Sequence, residues 1–186
     1  MNSLTHSGTQ ELHTKRLLLR PYRREDAPEA FALWAGDARV TDALDWTAHR
    51  DVNVTQSLID MWVESYQSPT VYHWCIEYEG QAAGDMMVCR WNQDDGWCEL
   101  GYCLAAPYWG RGLMTEALNA ICDYLFKCVG FHRIQLRHEE ENAASGRVMQ
   151  KCGFQYEGTL RHAKRDRSGE WKNICCYGRL HSDKTE

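Results

Sequence analysis

A glycine-containing turn between a predicted strand and a predicted helix is the part of this sequence best suited to chemistry. The strand passes through Glu99 and stops before Pro107, and the helix begins at Gly112. Gly110 and Gly112 allow the backbone to approach a ligand closely. The first N–H groups of a helix have no partner within it, and the helix dipole favours negative charge beside them. This arrangement predicts a site for an anionic, phosphate-bearing cofactor.

Two common phosphate-binding motifs do not account for the turn. A P-loop requires a glycine followed by Lys-Ser or Lys-Thr, and no glycine of this chain is followed in that way. The dinucleotide fingerprint requires a third glycine, but Thr115 stands at that position after Gly110 and Gly112. We therefore expect a different kind of phosphate site.

Length and composition limit the classes of protein that fit. The 186 residues suffice for one domain with a sizeable core, which we place at residues 1–186 with polar termini outside about 11–181. The net charge of -5 argues against a general nucleic-acid-binding protein. A basic run at residues 161–167 has two interpretations, a solvated hairpin tip or a contact with RNA or an acidic substrate. No apolar run approaches the length of a membrane span.

The cysteines indicate a reducing compartment. Their number, nine, is odd, and the chain starts without a basic and apolar leader, so we expect a cytoplasmic protein with free thiols. None of them forms a Cys-x-x-Cys pair, so we predict no metal site. Most lie among apolar neighbours, where a cysteine packs as a small hydrophobic residue.

Hydrophobic periodicity predicts an α+β fold around one sheet. We expect helices at residues 24–34, 52–67, 112–129 and 142–151, and strands near residues 17–19, 71–79, 81–90, 97–106, 133–138, 154–160 and 171–180. The strand before the glycine turn, the helix after it and strand 133–138 form a parallel crossover unit. The last two strands form an antiparallel pair. The helix at 112–129 presents a core-facing stripe of Met114, Ala117, Leu118, Ile121, Leu125 and Cys128.

Several motifs, in this order and spacing, resemble those of the GCN5-related N-acetyltransferase (GNAT) superfamily. They are Thr14-Lys-Arg-Leu-Leu-Leu-Arg-Pro21, Glu99-Leu-Gly-Tyr102, Pro107-Tyr-Trp-Gly-Arg-Gly-Leu-Met-Thr-Glu-Ala117, Arg133-Ile134, Asn142-x-x-Ser145, Lys151-Cys-Gly-Phe154 and Glu157-Gly158. The resemblance covers about residues 11–181 and is strongest to the branch of ribosomal-protein alanine and serine N-acetyltransferases. It implies a mostly antiparallel twisted sheet with a parallel crossover at its splayed centre and about four flanking helices.

The resemblance also implies acetyl-CoA as co-substrate, a primary amine as acceptor and direct transfer between them. The pyrophosphate of acetyl-CoA would rest on the loop that contains Trp109, Gly110, Arg111, Gly112, Leu113, Met114 and Thr115. The pantetheine arm would pair with the strand end at Cys103, Leu104 and Ala105, and Asn142 would also hold it.

For catalysis, the resemblance implies roles for Glu99 and Ser145. Glu99 matches a recurring glutamate of the branch and is a candidate general base; the alternative is that it supports structure or orients the acceptor. Many members of the superfamily protonate the thiolate with a tyrosine whose position here is occupied by Met149. Ser145 becomes the substitute acid, and the alternative is a hydrogen bond at the helix start. The N–H of Leu104 is the expected oxyanion donor.

The acceptor side is less specific. Trp46 and His49 correspond to a loop that borders the acceptor cleft in the branch, and Tyr177 is a further aromatic residue for its lining. The acceptor is a protein N-terminus or a small amine, and a homodimer is compatible with the resemblance. The loss of the usual tyrosine leaves one alternative function, a catalytically silent acyl-CoA-binding module.

Overall fold

Eight strands form one sheet that spans the protein. The computed structural model describes residues 4–42 and 44–183. The strands lie in the spatial order β1-β2-β3-β4-β5-β6-β8-β7. They are β1 (Leu12–His13), β2 (Leu17–Arg20), β3 (His73–Tyr78), β4 (Gln81–Asn92), β5 (Trp97–Leu104), β6 (Arg133–Glu139), β7 (Gln155–Arg165) and β8 (Trp171–Leu180).

One pair of neighbouring strands in the described sheet is parallel, and it lies at the centre. β5 and β6 pair from Trp97 opposite Arg133 to Glu99 opposite Gln135, and β5 then continues to Leu104 without β6 beside it. On its other side, β5 pairs with β4 as far as Leu104 opposite Gly84. The sheet therefore opens between β5 and β6 from residue 100 onward, which confirms the parallel crossover at a splayed centre.

Five α-helices accompany the sheet in the described part of the chain. They are α1 (Ala27–Ala30), α2 (Ala38–Thr41), α3 (Val52–Ser65), α4 (Leu113–Tyr124) and α5 (Ala143–Lys151). The predicted helix at residues 24–34 is a 3-10 turn, α1 and a π turn in succession, and α2 was not predicted. None of these helices combines the length and apolar character that a membrane crossing requires.

α4 joins β5 to β6 and supplies much of the core. Met114, Ala117, Leu118, Ile121 and Leu125 are buried, as the stripe predicted. Cys128 was also assigned to this stripe, but it is exposed. The reason is that residues Leu125–Val129 form a π turn, which shifts the periodicity so that Phe126 and Val129 face the core instead.

A buried ion-pair network joins β2 to the first helical segment. Arg20 is only 4% exposed, and its guanidinium donates to both carboxylate oxygens of Asp26 at 2.7 and 2.8 Å. Its Nε donates to Glu77 on β3 at 2.6 Å. Asp26 also accepts the backbone N–H of Arg23 at 2.7 Å. Because burial makes an unpaired charge costly, this network fixes the segment that leads to α2 and the loop after it.

Replacing Asp26 therefore has a large predicted effect on stability. Asp26→Ala leaves the buried Arg20 with half of its counter-charge, and we expect the free energy of unfolding to fall by about 3–5 kcal/mol. Urea unfolding followed by circular dichroism measures this. Asp123→Ala, which removes an exposed ion pair with Lys127, is the control and should change stability by less than about 0.5 kcal/mol. Equal effects of the two variants would contradict the role of the network.

Candidate active site

The glycine turn has the backbone conformation that its sequence predicts. β5 ends at Leu104, a short 3-10 turn that contains Pro107 follows, and α4 begins after Gly112. Gly110 and Gly112 have φ values of 75° and 76°, in the left-handed region that glycine favours. The N-cap position of α4 is Gly112, and no N-cap side chain accepts a hydrogen bond from the first turn. The helix start therefore offers backbone N–H groups to an anion.

Side chains from the N-terminal segment hold this helix start in place. Arg16 donates through Nη1 to the carbonyl oxygen of Arg111 at 2.9 Å and through Nε to Glu116 at 2.7 Å. Thr14 Oγ1 also donates to Glu116, at 2.6 Å. Arg111 itself lies over the ring of Tyr108, with 5.5 Å from its guanidinium carbon to the ring centroid. The N-terminal segment thus fixes the turn, and the N–H groups of the turn do not depend on a ligand for their position.

A cavity of about 400 Å³, which we call the glycine-loop cavity, lies beside the turn. Nine of the residues predicted to bind the cofactor line it: Cys103, Leu104, Trp109, Gly110, Gly112, Leu113, Met114, Thr115 and Asn142. Ser145, which was predicted to be catalytic, lines it as well. Ala105 is buried behind the strand end, where its N–H donates to the carbonyl oxygen of Ala83 at 2.8 Å. Arg111, stacked on Tyr108, does not line the cavity either.

The open edge of β5 supplies the second element of this cavity. Cys103 and Ala105 direct their backbone groups to β4, since Ala105 bonds Ala83 and backbone directions alternate along a strand. The backbone groups of Tyr102 and Leu104 therefore face the gap that β6 leaves. The carbonyl oxygen of Leu104 accepts from Trp109 Nε1 at 2.6 Å. The N–H of Leu104 points into the gap, where an extended ligand can pair with it as a strand would.

A second cavity, of about 380 Å³, lies on the β6 side of the gap, and we call it the Glu99 cavity. Both oxygens of Glu99 are used: Oε1 accepts from Arg137, at 2.7 Å to Nη2, and Oε2 accepts from Arg90 Nη2 at 2.6 Å and Gln135 Nε2 at 2.8 Å. Burial alone raises the pKa of this carboxyl, but the hydrogen bonds from Arg90, Gln135 and Arg137 outweigh burial and hold the pKa below its ordinary value. Glu99 is thus an ionised carboxylate with weak affinity for a proton.

The other carboxylates of the Glu99 cavity also have a cationic partner. Lys164 Nζ lies 2.6 Å from Asp45 Oδ1 and 2.7 Å from Glu139 Oε1, and all three residues line the cavity. Burial lowers the pKa of Lys164, but the two ion pairs more than compensate, and its pKa is raised. Arg167 contacts the same region, since its Nη2 donates to the carbonyl oxygen of Thr41 at 2.7 Å and to that of Trp46 in the loop. The β7-β8 hairpin therefore covers one side of the cavity, and two cations of the basic run 161–167, Lys164 and Arg167, contact the segment around Asp45.

The two cavities share four lining residues, and two of them form a hydroxyl pair. The shared residues are Leu44, Tyr102, Asn142 and Ser145. Ser145 Oγ donates to Tyr102 Oη at 3.0 Å, and Tyr102 Oη donates to the carbonyl oxygen of Ser145 at 3.3 Å. Asn142 is the N-cap of α5, and its Oδ1 accepts the N–H of Ser145 at 3.2 Å. Burial raises the pKa of Tyr102, so its phenol keeps its proton at neutral pH.

Tyr102 was not among the candidate site residues that we predicted. It lies two residues before Leu104, and side chains alternate along a strand, so the two share a face. That spacing could have indicated that Tyr102 lies at the site. Its contact with Ser145 was not predictable from spacing, because the two residues are 43 positions apart. Met149, at the position where the resemblance implies a tyrosine, is 1% exposed and lines the Glu99 cavity.

The three residues predicted for the acceptor cleft lie elsewhere in the described structure, and none lines either cavity. Trp46 packs on Trp34 and on His49, with ring centroids 6.1 and 5.0 Å away, and His49 Nδ1 bonds Thr55 Oγ1 at 2.8 Å. Tyr177 on β8 stacks on His138 at 5.5 Å. The loop turns Trp46 and His49 toward the helices, so Leu44 and Asp45 reach the cavities instead.

No group of His, Cys, Asp or Glu side chains among residues 4–42 and 44–183 has an arrangement suited to a metal ion. The nine cysteines all lie in this described part and are free, and most of them are buried, as small hydrophobic residues are.

The hydrogen bonds of Glu99 predict a pH-dependent contribution to stability. Glu99→Gln removes the charged acceptor, and we expect a loss of about 1.5–3 kcal/mol at pH 7. Because the folded pKa is below the ordinary value of 4.5, this contribution is complete above pH 4.5 and disappears as pH falls through the folded pKa. Urea unfolding of both proteins from pH 7 to pH 3.5 measures it. A difference that stays constant or grows toward low pH would contradict the ion-pair assignment.

Comparison with known proteins identifies the family. Residues 16–155 match the family described as acetyltransferase (GNAT) domain. An uncharacterised N-acetyltransferase, p20 of Bacillus licheniformis, is 30% identical over 165 residues, which cover 82% of this chain and 86% of that protein. Spermidine N(1)-acetyltransferase of Escherichia coli is 25% identical over 144 residues, 77% of this chain and 75% of the relative.

A solved structure of RimL, a ribosomal L7/L12 alpha-N-protein acetyltransferase in complex with coenzyme A, superposes with a TM-score of 0.83 at 19% identity. The superposition covers 92% of this chain and 98% of RimL, and at this identity it shows a common fold. The match over most of the chain, together with the open strand beside the glycine turn, leads to one conclusion: the chain belongs to the GNAT acetyltransferase family.

Proposed function

We propose that this protein transfers the acetyl group of acetyl-CoA directly to a primary amine. The observation that carries the proposal is the junction of the two cavities at the open edge of β5. One cavity offers helix N–H groups and a free strand edge to a phosphate-bearing, amide-containing donor. The other is open to a second substrate, and the two meet at Tyr102 and Ser145.

The donor would lie along the glycine-loop cavity. Its pyrophosphate would accept hydrogen bonds from N–H groups between Gly110 and Thr115, at the positive end of the α4 dipole. Its pantetheine amide N–H groups would donate to the backbone carbonyl oxygens of Tyr102 and Leu104, as an added strand does, which leaves the N–H of Leu104 for the thioester. The site fits this ligand because a Cβ at Gly110 or Gly112 would be strained in the left-handed region, and glycine leaves the space beside the N–H groups open.

The chemistry would take place where the cavities meet. A neutral amine attacks the thioester carbonyl, and the N–H of Leu104 stabilises the negative charge that develops on the carbonyl oxygen. Asn142 fixes the first turn of α5 and thereby places Ser145 beside the thioester. Glu99 is a weak base because three hydrogen-bond donors hold it ionised, so we assign it an orienting role through Arg137.

The charges of the Glu99 cavity support an acceptor with a single amine. Glu99, Asp45 and Glu139 already have cationic partners in Arg137 and Lys164. A second ammonium group, as in a polyamine, would enter this cavity without a free carboxylate to pair with, and that desolvation is unfavourable. A peptide α-amine titrates near pH 7.7–8.0, so a fraction of it is neutral without a strong base. A protein N-terminus or a small monoamine therefore fits better than a polyamine.

The test of the function is acetyl transfer by the purified protein. Acetyl-CoA is supplied with Ala- and Ser-starting peptides and with small amines, and free thiol and acetylated product are measured. We expect acceptor-dependent thiol release with equal amounts of acetylated amine. Tight acetyl-CoA binding without transfer to any acceptor would instead indicate the catalytically silent module.

Gly112→Ala tests the donor site. The methyl group strains a left-handed residue at the start of α4, with Arg16 Nη2 at 3.7 Å from it. Because the strain shifts the N–H groups of the turn, we expect CoA to bind about tenfold more weakly, near 1.4 kcal/mol. Gly130→Ala is the matched control, because Gly130 has a φ of 92° at the other end of the same helical segment. Calorimetry should show unchanged CoA affinity for the control. Unchanged affinity for Gly112→Ala would contradict the phosphate site.

Lys164→Met tests the explanation of acceptor choice. The variant frees Glu139 and Asp45, and we expect kcat/KM for spermidine to rise about tenfold, which corresponds to one restored charge-assisted contact. kcat/KM for an Ala-starting peptide should stay within about twofold. Lys172→Met is the control, because Lys172 pairs with Glu141 and Glu170 and does not line the Glu99 cavity. An equal rise for both acceptors would mean that the variant merely loosens the hairpin.

A further inference from the structure

We propose that Tyr102 is the proton source for the departing thiolate and acts together with the hydroxyl of Ser145. The inference rests on the proposed function and extends it to a residue on the strand. The sequence lacks a tyrosine at position 149, where many members of the superfamily place this acid. The fold supplies a phenol to the same junction from β5 instead of α5.

The position of Tyr102 selects it from the groups near the reacting atoms. The acetyl group must pass from one cavity to the other, and four residues border both. Leu44 carries no proton donor, and the amide of Asn142 is far too weak an acid. Tyr102 and Ser145 remain, and their oxygens are 3.0 Å apart, within hydrogen-bond distance.

Within the pair, the phenol is the stronger acid. A phenol ordinarily titrates near pH 10, whereas an aliphatic hydroxyl loses its proton only to much stronger bases. Ser145 Oγ donates to Tyr102 Oη at 3.0 Å, and Tyr102 Oη donates to the Ser145 carbonyl oxygen over a long 3.3 Å. When Ser145 turns its proton to the sulfur, its oxygen is free to accept the weakly bound proton of Tyr102. The phenol is protonated at neutral pH, as a proton donor requires, and burial raises its pKa further.

The proton and electron balance of the step is complete. The amine nitrogen bonds to the carbonyl carbon, the C–S bond breaks, and its electron pair stays on sulfur. Ser145 Oγ gives its proton to sulfur and takes the proton of Tyr102 Oη. The nitrogen loses one proton to solvent in the open Glu99 cavity, and solvent returns one proton to the phenolate. The products are an amide and a thiol, with both hydroxyl groups restored.

The test compares Tyr102→Phe with the wild-type protein. We expect kcat with acetyl-CoA to fall about 100-fold, as for the loss of a general acid, while the dissociation constant of CoA, measured by calorimetry, changes by less than about twofold. An acetyl thioester of an acidic aromatic thiol needs no proton to leave, so its enzymatic rate, after subtraction of the uncatalysed rate, should fall less than about threefold. A purely structural role for Tyr102 would lower both rates alike.

Two further variants complete the experiment. Tyr156→Phe is the matched control: its hydroxyl also bonds a side-chain hydroxyl, Thr159 Oγ1 at 2.7 Å, but Tyr156 is exposed and borders neither cavity. It should retain full kcat. Ser145→Ala should share the defect, and the double variant with Tyr102→Phe should be little slower than the slower single variant, since the two hydroxyls act as one unit.

Several results would overturn the assignment of Tyr102. They are an unchanged kcat for Tyr102→Phe, equal losses with both thioesters, or additive losses in the double variant. A wild-type protein that binds CoA but transfers acetyl to no acceptor would contradict the proposed function itself, and the assignment with it. Transfer by the wild type that is indifferent to Tyr102 would contradict the assignment alone.

Discussion

The whole site depends on the point at which β5 and β6 separate. The parallel pairing ends at Glu99 opposite Gln135, and β5 then runs on with one edge unpaired. A strand edge inside a sheet is normally satisfied by its neighbour, so this opening leaves hydrogen-bonding groups available for a ligand. The same divergence creates both cavities and lets α5 approach β5 closely enough for Ser145 to bond Tyr102.

Glu99 is the last residue of β5 that pairs with β6 before the two strands separate, and its hydrogen bonds across the strands explain its lowered pKa. Its carboxylate accepts hydrogen bonds from three residues: Arg90 on β4, and Gln135 and Arg137 on β6. A carboxylate with so many donors is stabilised in its charged form, and the lowered pKa follows. The hydrogen bonds by which Glu99 connects the strands also make it a poor proton acceptor. In the proposed reaction, a neutral amine and the hydroxyl pair of Tyr102 and Ser145 carry out the transfer, while Glu99 holds the strands and Arg137 in place.

Sequence patterns identified most residues that line the glycine-loop cavity on the turn side, because the determinants of that part are local. The strand, the glycine turn and the helix after it occupy 28 consecutive residues, from Trp97 to Tyr124. Helix termini have properties that do not depend on distant contacts. Most of the residues that line the Glu99 cavity could not be predicted from the sequence, because contacts between distant segments bring them together. Lys164 meets Asp45 and Glu139 from a hairpin far along the chain. Periodicity failed at Cys128 for a related reason, since the π turn that exposes it has no sequence signature.

The most direct test of this account is a crystal structure of the protein with coenzyme A. We predict phosphate oxygens on the N–H groups of the turn after Gly110, a pantetheine amide paired with Leu104, and the sulfur within about 3.5 Å of the hydroxyl of Ser145 or Tyr102. Coenzyme A bound away from the open edge of β5, or with its sulfur out of reach of both hydroxyls, would contradict the account.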